Sequence, residues 1–220
     1  MKNTKIRMMA MAAIAVLMTS CDEHKDFIDT SMHVGDVLTT DGDVLRYDDY
    51  EKSGKEAIGV VFHVNQDGTK GEGRGYAVYL WDKEGLAYAD TVSISQKTGT
   101  DTEAYDGNAN TYAMMENTGV GSPLADAVFP MWKMGQSAFI PSVAEMRLLK
   151  QYKQDVNPII IRCGGDVLPD IAEECWYWTS TGVEGQEEYK AWLYSLQSGA
   201  IHETPKDQPH KARPIISIRY

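Results

Sequence analysis

Basic residues, cysteines and long apolar runs are all scarce in this sequence. Its 220 residues carry 21 Lys and Arg against 32 Asp and Glu, a formal net charge of −11. Such a surface repels phosphate backbones and anionic headgroups alike, which weighs against nucleic acid and against peripheral membrane binding. The longest unbroken apolar stretch, Met8 to Met18, is eleven residues, too short to span a bilayer stably. The five histidines, His24, His33, His63, His202 and His210, have no HExxH or paired-ligand spacing, and no Gly-x-Ser-x-Gly elbow or nucleophile and base pair stands out. Internal repeats and low-complexity tracts are missing as well. What is present is an ordinary globular composition for one domain, or one domain with a small appendage, at 43% hydrophobic and 24% charged residues. Five Trp and twelve Tyr supply large, partly apolar surface to bury and argue against disorder.

The chain opens with Lys2, Lys5 and Arg7 and no acid, followed by Met8 to Met18, the layout of a secretory leader. The run ends in Leu17-Met18-Thr19-Ser20-Cys21, which resembles the lipobox of bacterial lipoproteins, with Met18 where Leu is preferred. That resemblance implies removal of residues 1–20, diacylation of Cys21, and anchoring by acyl chains where the acidic surface itself would not bind. Removal takes three cations and no acid, leaving 18 Lys and Arg against 32 acids in 200 residues, a net charge of −14. Asp22-Glu23-His24-Lys25-Asp26 reads as a solvated tether, residues 21–33. Acids in that place also resemble the surface-export signal of Bacteroidetes lipoproteins, whereas in enteric bacteria Asp there marks inner-membrane retention. The expected location is thus the outer membrane, lipid-anchored and exposed at the cell surface. With Cys21 acylated, Cys163 and Cys175 remain, readable either as a disulfide in an exported protein or as two free buried thiols.

Past the tether, Val37-Leu38-Thr39-Thr40, Asp41-Gly42 and Asp43-Val44-Leu45-Arg46-Tyr47 predict a hairpin. A polar stretch, Asp48 to Glu56, links it to a strand over Ala57–Val64. The glycine-rich Asp67–Gly75 lacks the helix start and Lys-Ser/Thr of a phosphate loop and reads as a turn into a strand over Tyr76–Trp81. Asp82–Tyr105 reads as a surface excursion. Asp106 is the expected N-cap of a helix to Asn117 with Ala109, Tyr112, Ala113 and Glu116 on one side. A calcium loop at that start would need Gly where Thr111 stands and Glu where Asn117 stands. Pro123–Met134 is a second helix, capped by Ser122 and ended or kinked at Pro130. Ser142-Val143-Ala144-Glu145 is a capping box, with Val143, Met146, Leu149 and Tyr152 at helical spacing. After Pro158 and Ile159-Ile160-Ile161 the chain is expected to return to strands: Trp176–Thr181, Tyr189–Leu196, Ala200–Glu203 and Ala212–Tyr220. Strands, then helices, then strands is an α+β order and disfavours a doubly wound nucleotide fold.

Several of these residues carry a family resemblance. Trp132, then Phe139-Ile140-Pro141-Ser142 and Glu145-Met146-Arg147-Leu148-Leu149, followed by Tyr177-Trp178-Thr179-Ser180-Thr181, Ala191-Trp192, Ser198-Gly199 and Arg213-Pro214-Ile215, resemble in order and spacing the Lcl (DUF1566) family of C-type-lectin-like domains, related to the Fibrobacter major-paralogue domain. Ile58-Gly59-Val60-Val61-Phe62 and Tyr76-Ala77-Val78 resemble its opening in Bacteroides lipoproteins. The resemblance implies a C-type-lectin-like fold over 57–220: a mixed, mostly antiparallel twisted sheet flanked by two or three helices, here preceded by the 34–56 hairpin and linker. Trp132, Pro141, Ser142, Glu145, Trp178, Ser180, Arg213 and Pro214 are its structural motif residues, with Trp132, Trp178 and Trp192 as core aromatics and Arg213-Pro214 opening an edge or terminal strand.

Calcium-dependent lectins of this fold use Glu-Pro-Asn or Gln-Pro-Asp; the nearest strings, Asp207-Gln208-Pro209-His210 and Glu203-Thr204-Pro205-Lys206, do not complete either set, and no metal or cofactor is expected. The related formylglycine-generating enzymes need a reactive cysteine pair, and only Arg162 is a basic neighbour of Cys163 and Cys175 in sequence. His202 and His210 read as solvated around a turn. The expectation is a non-catalytic surface protein binding a host glycan or protein, or fimbrial subunits, in adhesion; a structural envelope lipoprotein without a soluble ligand is the alternative. Tyr177, Tyr189, Trp192, Tyr194 and His202 are the candidate contact residues if they face solvent, and core strand residues if they do not.

Overall fold

The computed structural model describes residues 29–68, 70, 72–131 and 138–219. The expected leader, Cys21 with its tether to residue 28, and Trp132 lie outside the described residues. The chain divides into two units, 1–31 and 32–220. Of the first, residues 29–31 make a local turn in which Ser31 N–H donates to Asp29 Oδ1 at 2.9 Å. Every helix and strand described belongs to the second.

The hairpin forms where Asp-Gly puts it. Strands β1 (Val37–Thr39) and β2 (Val44–Leu45) pair antiparallel, and Gly42 takes φ 88° in the turn. It is continuous with the main sheet, because β1 also pairs with β3 (Ala57–Val64), Val37 facing Val60. The linker expected after it is instead a helix, α1 (Tyr47–Ser53), without a buried residue. Asp48 and Asp49 in its first turn and Lys52 in its last suit the helix dipole, and Gly54 at φ 67° ends it.

β4 (Gly75–Tyr79), β6 (Ala138–Phe139) and β11 (Ile215–Ile218) complete a six-stranded, wholly antiparallel sheet in the order β2-β1-β3-β4-β11-β6. Both its faces are covered: Val60, Phe62, Val78 and Ile215 join one core cluster, Val61, Ala77 and Ile216 the other. That is why its strands read as unbroken apolar runs rather than as alternation. A second sheet, β5 (Lys83–Ala87), β7 (Trp176–Gly182), β8 (Lys190–Ser195), β9 (Ile201–Pro205) and β10 (Pro209–Ala212), has the order β5-β10-β7-β8-β9. Only β10 and β7 run parallel, Lys211 beside Tyr177. With α2 (Gly107–Glu116), α3 (Pro123–Val128) and α4 (Val143–Arg162), the described residues form an α+β fold of two mostly antiparallel sheets and four helices.

α4 starts on the expected capping box: Ser142 Oγ accepts from Glu145 N–H at 3.3 Å, and Glu145 Oε2 accepts from Ser142 N–H at 2.7 Å. Val143, Met146, Leu149, Val156 and Ile160 are buried against β3 and its neighbours. The helix does not stop at Pro158, as expected, but runs through it to Arg162. Asn157 is bracketed by Leu168, donating to its carbonyl and accepting from its N–H at 3.0 Å each. Ile160 is sealed in the core while Ile161 is exposed, so Ile159-Ile160-Ile161 is the amphipathic last turn of a helix, and tertiary packing outweighs the lost hydrogen bond.

Three further expectations change. The excursion after Asp82 contains β5 and the buried residues Tyr88, Ala89 and Gln96; Tyr88 O–H donates to Ser180 O at 2.8 Å and pins it down. In α2 the inward face is Gly107, Asn110, Thr111 and Met114, not Ala109, Tyr112, Ala113 and Glu116, and Tyr112 is 55% exposed. The inward polar groups are partnered: Thr111 Oγ1 accepts from Ile140 N–H, and Asn110 Oδ1 from Gly99 N–H. Asp106 precedes the helix, but its carboxylate takes Asn110 Nδ2 instead of a first-turn N–H. The second helix keeps its Ser122 cap and Pro123 start but ends at Val128, followed by a 3-10 turn over Phe129–Met131. Finally, the strand expected over Ala212–Tyr220 is two strands, because Arg213-Pro214 carries the chain from β10 in one sheet to β11 in the other. Of the two expectations for Arg213-Pro214, the terminal strand holds and the edge does not: β11 is the last strand described, and it lies between β4 and β6.

Candidate ligand-binding groove

Along β7 the side chains alternate. Tyr177 enters the core cluster that packs on α4, together with Tyr194 and Ile201 of the register-matched strands. Trp176 and Trp178 point the other way, with Leu193 opposite Trp178 and His202 opposite Leu193. Trp178 is fully buried and its indole N–H donates to Leu86 O at 2.9 Å. Above it the sheet surface opens into a groove of about 690 Å³.

All five strands of the second sheet contribute to that groove. Glu84 comes from β5, His210 and Lys211 from β10, Trp176 from β7, Leu193 from β8 and His202 from β9, and Glu173 and Glu174 approach from the segment before β7. Each imidazole meets an indole edge-on: His202 with Trp176 at 6.2 Å, His210 with Trp178 at 5.4 Å. Burial, and secondarily the charge of His202, hold the His210 imidazole below its ordinary pKa. Lys211 is already engaged, its ammonium 3.3 Å from Asp82 Oδ2 and 4.5 Å over the Tyr177 ring. Half-buried indole, two imidazoles and exposed carboxylates make a surface that can stack on a ligand and accept its hydrogen bonds.

Of the five contact residues expected from sequence, only His202 lines this groove. Tyr177 and Tyr194 are core residues, 0% and 2% exposed, which removes them as contacts. The Tyr177 hydroxyl donates to Asp82 Oδ2 at 3.0 Å, and burial followed by the Asp82 charge pushes its pKa up. Trp192 packs on the opposite face of the sheet, and Tyr189, 48% exposed, stands just before β8, away from the groove lining. His210 is not solvated at a turn but half-buried in β10. Trp176, Glu84, Glu173, Glu174 and His210 escaped the sequence reading; the one available signal was the Trp-x-Trp spacing of Trp176 and Trp178, which puts both indoles on one face of a strand.

The described residues named as structural motif residues of the family resemblance lie in the interior. Pro141, Ser142, Glu145, Trp178, Ser180, Arg213 and Pro214 are all buried. Ser180 N–H donates to Pro141 O at 2.9 Å. Gly107 admits the capping box, since a Cβ there would press on the Glu145 carboxylate and on Ile140 O. Glu145 also accepts from Tyr76 O–H at 3.2 Å, and burial pushes its pKa up to about 8. Arg213 is fully buried, its Nη1 2.7 Å from Asp82 Oδ1 and its Nη2 donating to Asp166 O. Asp82 thereby gathers Arg213, Lys211 and Tyr177 where the two sheets meet.

Cys163 and Cys175 are not joined: both thiols are free, Cys163 half-buried after α4 and Cys175 buried 3.1 Å from Ser195 Oγ. Burial raises the Cys163 thiol pKa, the opposite of what a nucleophile needs. Among the described residues no group of three or more His, Cys, Asp and Glu is placed to hold a metal ion. No helix among them is long and apolar enough to cross a membrane. The chain matches no protein-family model and no curated protein.

Proposed function

We propose that this chain is a lipid-anchored, cell-surface binding protein of the outer membrane, with a C-type-lectin-like domain that holds a protein or glycan ligand in adhesion and performs no catalysis. The groove across the second sheet, with Trp176 at its centre, is the observation that carries the binding role. A site open along a sheet face, with stacking and hydrogen-bonding groups and no activated nucleophile, suits reversible contact better than chemistry. The fold assignment draws support from β3, β4 and β11, which bring the two ends of residues 57–220 into one sheet, and from the helix capped by Ser142 and Glu145. The anchor and its location rest on the leader and Cys21.

Two measurements test the proposal. Protease added to whole cells should digest the protein; full protection would refute surface exposure. Arrays of glycans and matrix proteins, probed with and without calcium, should yield a ligand whose binding is indifferent to calcium and is lost in Trp176→Ala. Binding that survives that substitution would remove the groove from the proposal, and an array without any ligand would favour a purely structural envelope role.

A further inference from the structure

We infer that the groove takes a cationic peptide segment, a stretch of extended chain bearing lysine or arginine, held by Glu84, Glu173 and Glu174 with Trp176 as its stacking surface. This rests on the reading of the groove as a binding surface and adds the chemistry of what is bound. The three carboxylates form no ion pair with any cation of the described chain, and all three are exposed. The one cation among the lining residues, Lys211, is turned to Asp82 and the Tyr177 ring. The local balance is therefore negative, on a chain whose overall charge of −11 already steers cations toward it.

The apolar half of the groove suits the same ligand. Trp176, half-buried and edge-on to His202, and Leu193 beneath offer surface to the aliphatic stem of a long basic side chain, and an indole face attracts a guanidinium or ammonium directly. Five strands spaced at about 4.8 Å make the groove roughly 19 Å wide, which an extended segment of about six residues spans. A neutral glycan would use the indole but leave the carboxylates without counter-charge.

His210 makes the binding depend on pH. The groups around it are Glu84 on β5, Trp178 and Trp176 on β7, His202 on β9, Lys211 next to it on β10, and Glu173 and Glu174. Protonating this imidazole puts positive charge into the groove and opposes a cationic ligand. Burial holds it below its ordinary pKa, so affinity falls as acidification passes below the ordinary imidazole range.

The test is calorimetric titration of the purified, leaderless protein with hexa-arginine, hexaglutamate and a neutral hexasaccharide. Hexa-arginine should bind, about tenfold more weakly when both Glu173→Gln and Glu174→Gln are present, and about tenfold more weakly in Trp176→Ala. The exposed Glu116→Gln, on α2, should leave affinity unchanged. Binding should weaken several-fold between about pH 7 and about pH 5. Absence of hexa-arginine binding, or binding that ignores Glu173, Glu174 and Trp176, overturns the inference. So does a neutral hexasaccharide that binds at Trp176 in its place, which would leave the adhesion proposal standing. Conversely, protection of the protein on whole cells alongside groove-dependent peptide binding would sink the surface proposal and keep this one.

Discussion

The two faces of the five-stranded sheet use the same strands, and neighbouring aromatic residues, for opposite ends. On one face Tyr177 and Tyr194 are sealed against α4, and the polar end of Tyr177 is bound to Asp82. On the other, Trp178 is buried with its N–H satisfied by Leu86 O, but Trp176, one pleat along, is half-open beside His202, His210 and three carboxylates. On the sealed face the Tyr177 hydroxyl is satisfied by Asp82, as a buried polar group requires. The open face keeps its hydrogen-bonding and charged groups turned outward, and a ligand can satisfy them. Aromatic content therefore does not mark a binding surface here; the strand's phase relative to the core does.

The largest effect that would break this contrast is on the sealed face. Tyr177→Ala should cost about 4 kcal/mol, from the lost ring and the cavity it leaves, read as a shift in the urea midpoint. A cost near that of a surface substitution would mean that this face is not core. Arg213→Met should cost about 3 kcal/mol, because Asp82 keeps only Lys211 and Tyr177 as partners. A neutral result in urea unfolding would deny that the Asp82 cluster ties the sheets together. Glu145 comes next. Its folded pKa, about 8, lies above its ordinary carboxylate value, so the folded state holds a proton that the unfolded state has released. Its contribution to stability is complete below about pH 4.5 and is lost as pH rises toward about 8. Glu145→Gln, which keeps the capping geometry, should flatten that decline in denaturation measured across pH. The smallest effect belongs to the open face: Trp176→Ala should change stability by about 1 kcal/mol or less, while altering the tryptophan emission. A loss as large as that of Tyr177→Ala would place Trp176 in the core and close the groove.

How far the sequence carried the fold depends on where each decision was made. The Ser142–Glu145 box, the Asp41-Gly42 turn and the Ala57–Val64 strand are set by neighbours a few residues apart, and they stand as expected. Pro158 inside α4 was misleading because the packing of Ile160 and the Asn157 bracket to Leu168 come from residues distant in sequence or on other elements. The polar inward face of α2 was misread for the same reason, since Asn110 and Thr111 are satisfied by Gly99 and Ile140. The groove was the least legible part: His202 and His210 line one groove because β9 and β10 flank the β7–β8 pair on its two sides.

Composition and local pattern alone determined that this is an acidic α+β chain with a capped long helix, because charge sums, turn chemistry and helical periodicity are properties of short stretches. Tertiary structure alone decided which face of β7 is sealed and which is open, that the two cysteines stay apart, and that Arg213 is fully buried beside Asp82. The first depends on which layer covers a strand, the second on where the end of α4 and the start of β7 come to lie, and the third on pairing across more than a hundred residues, and short-range sequence records none of these.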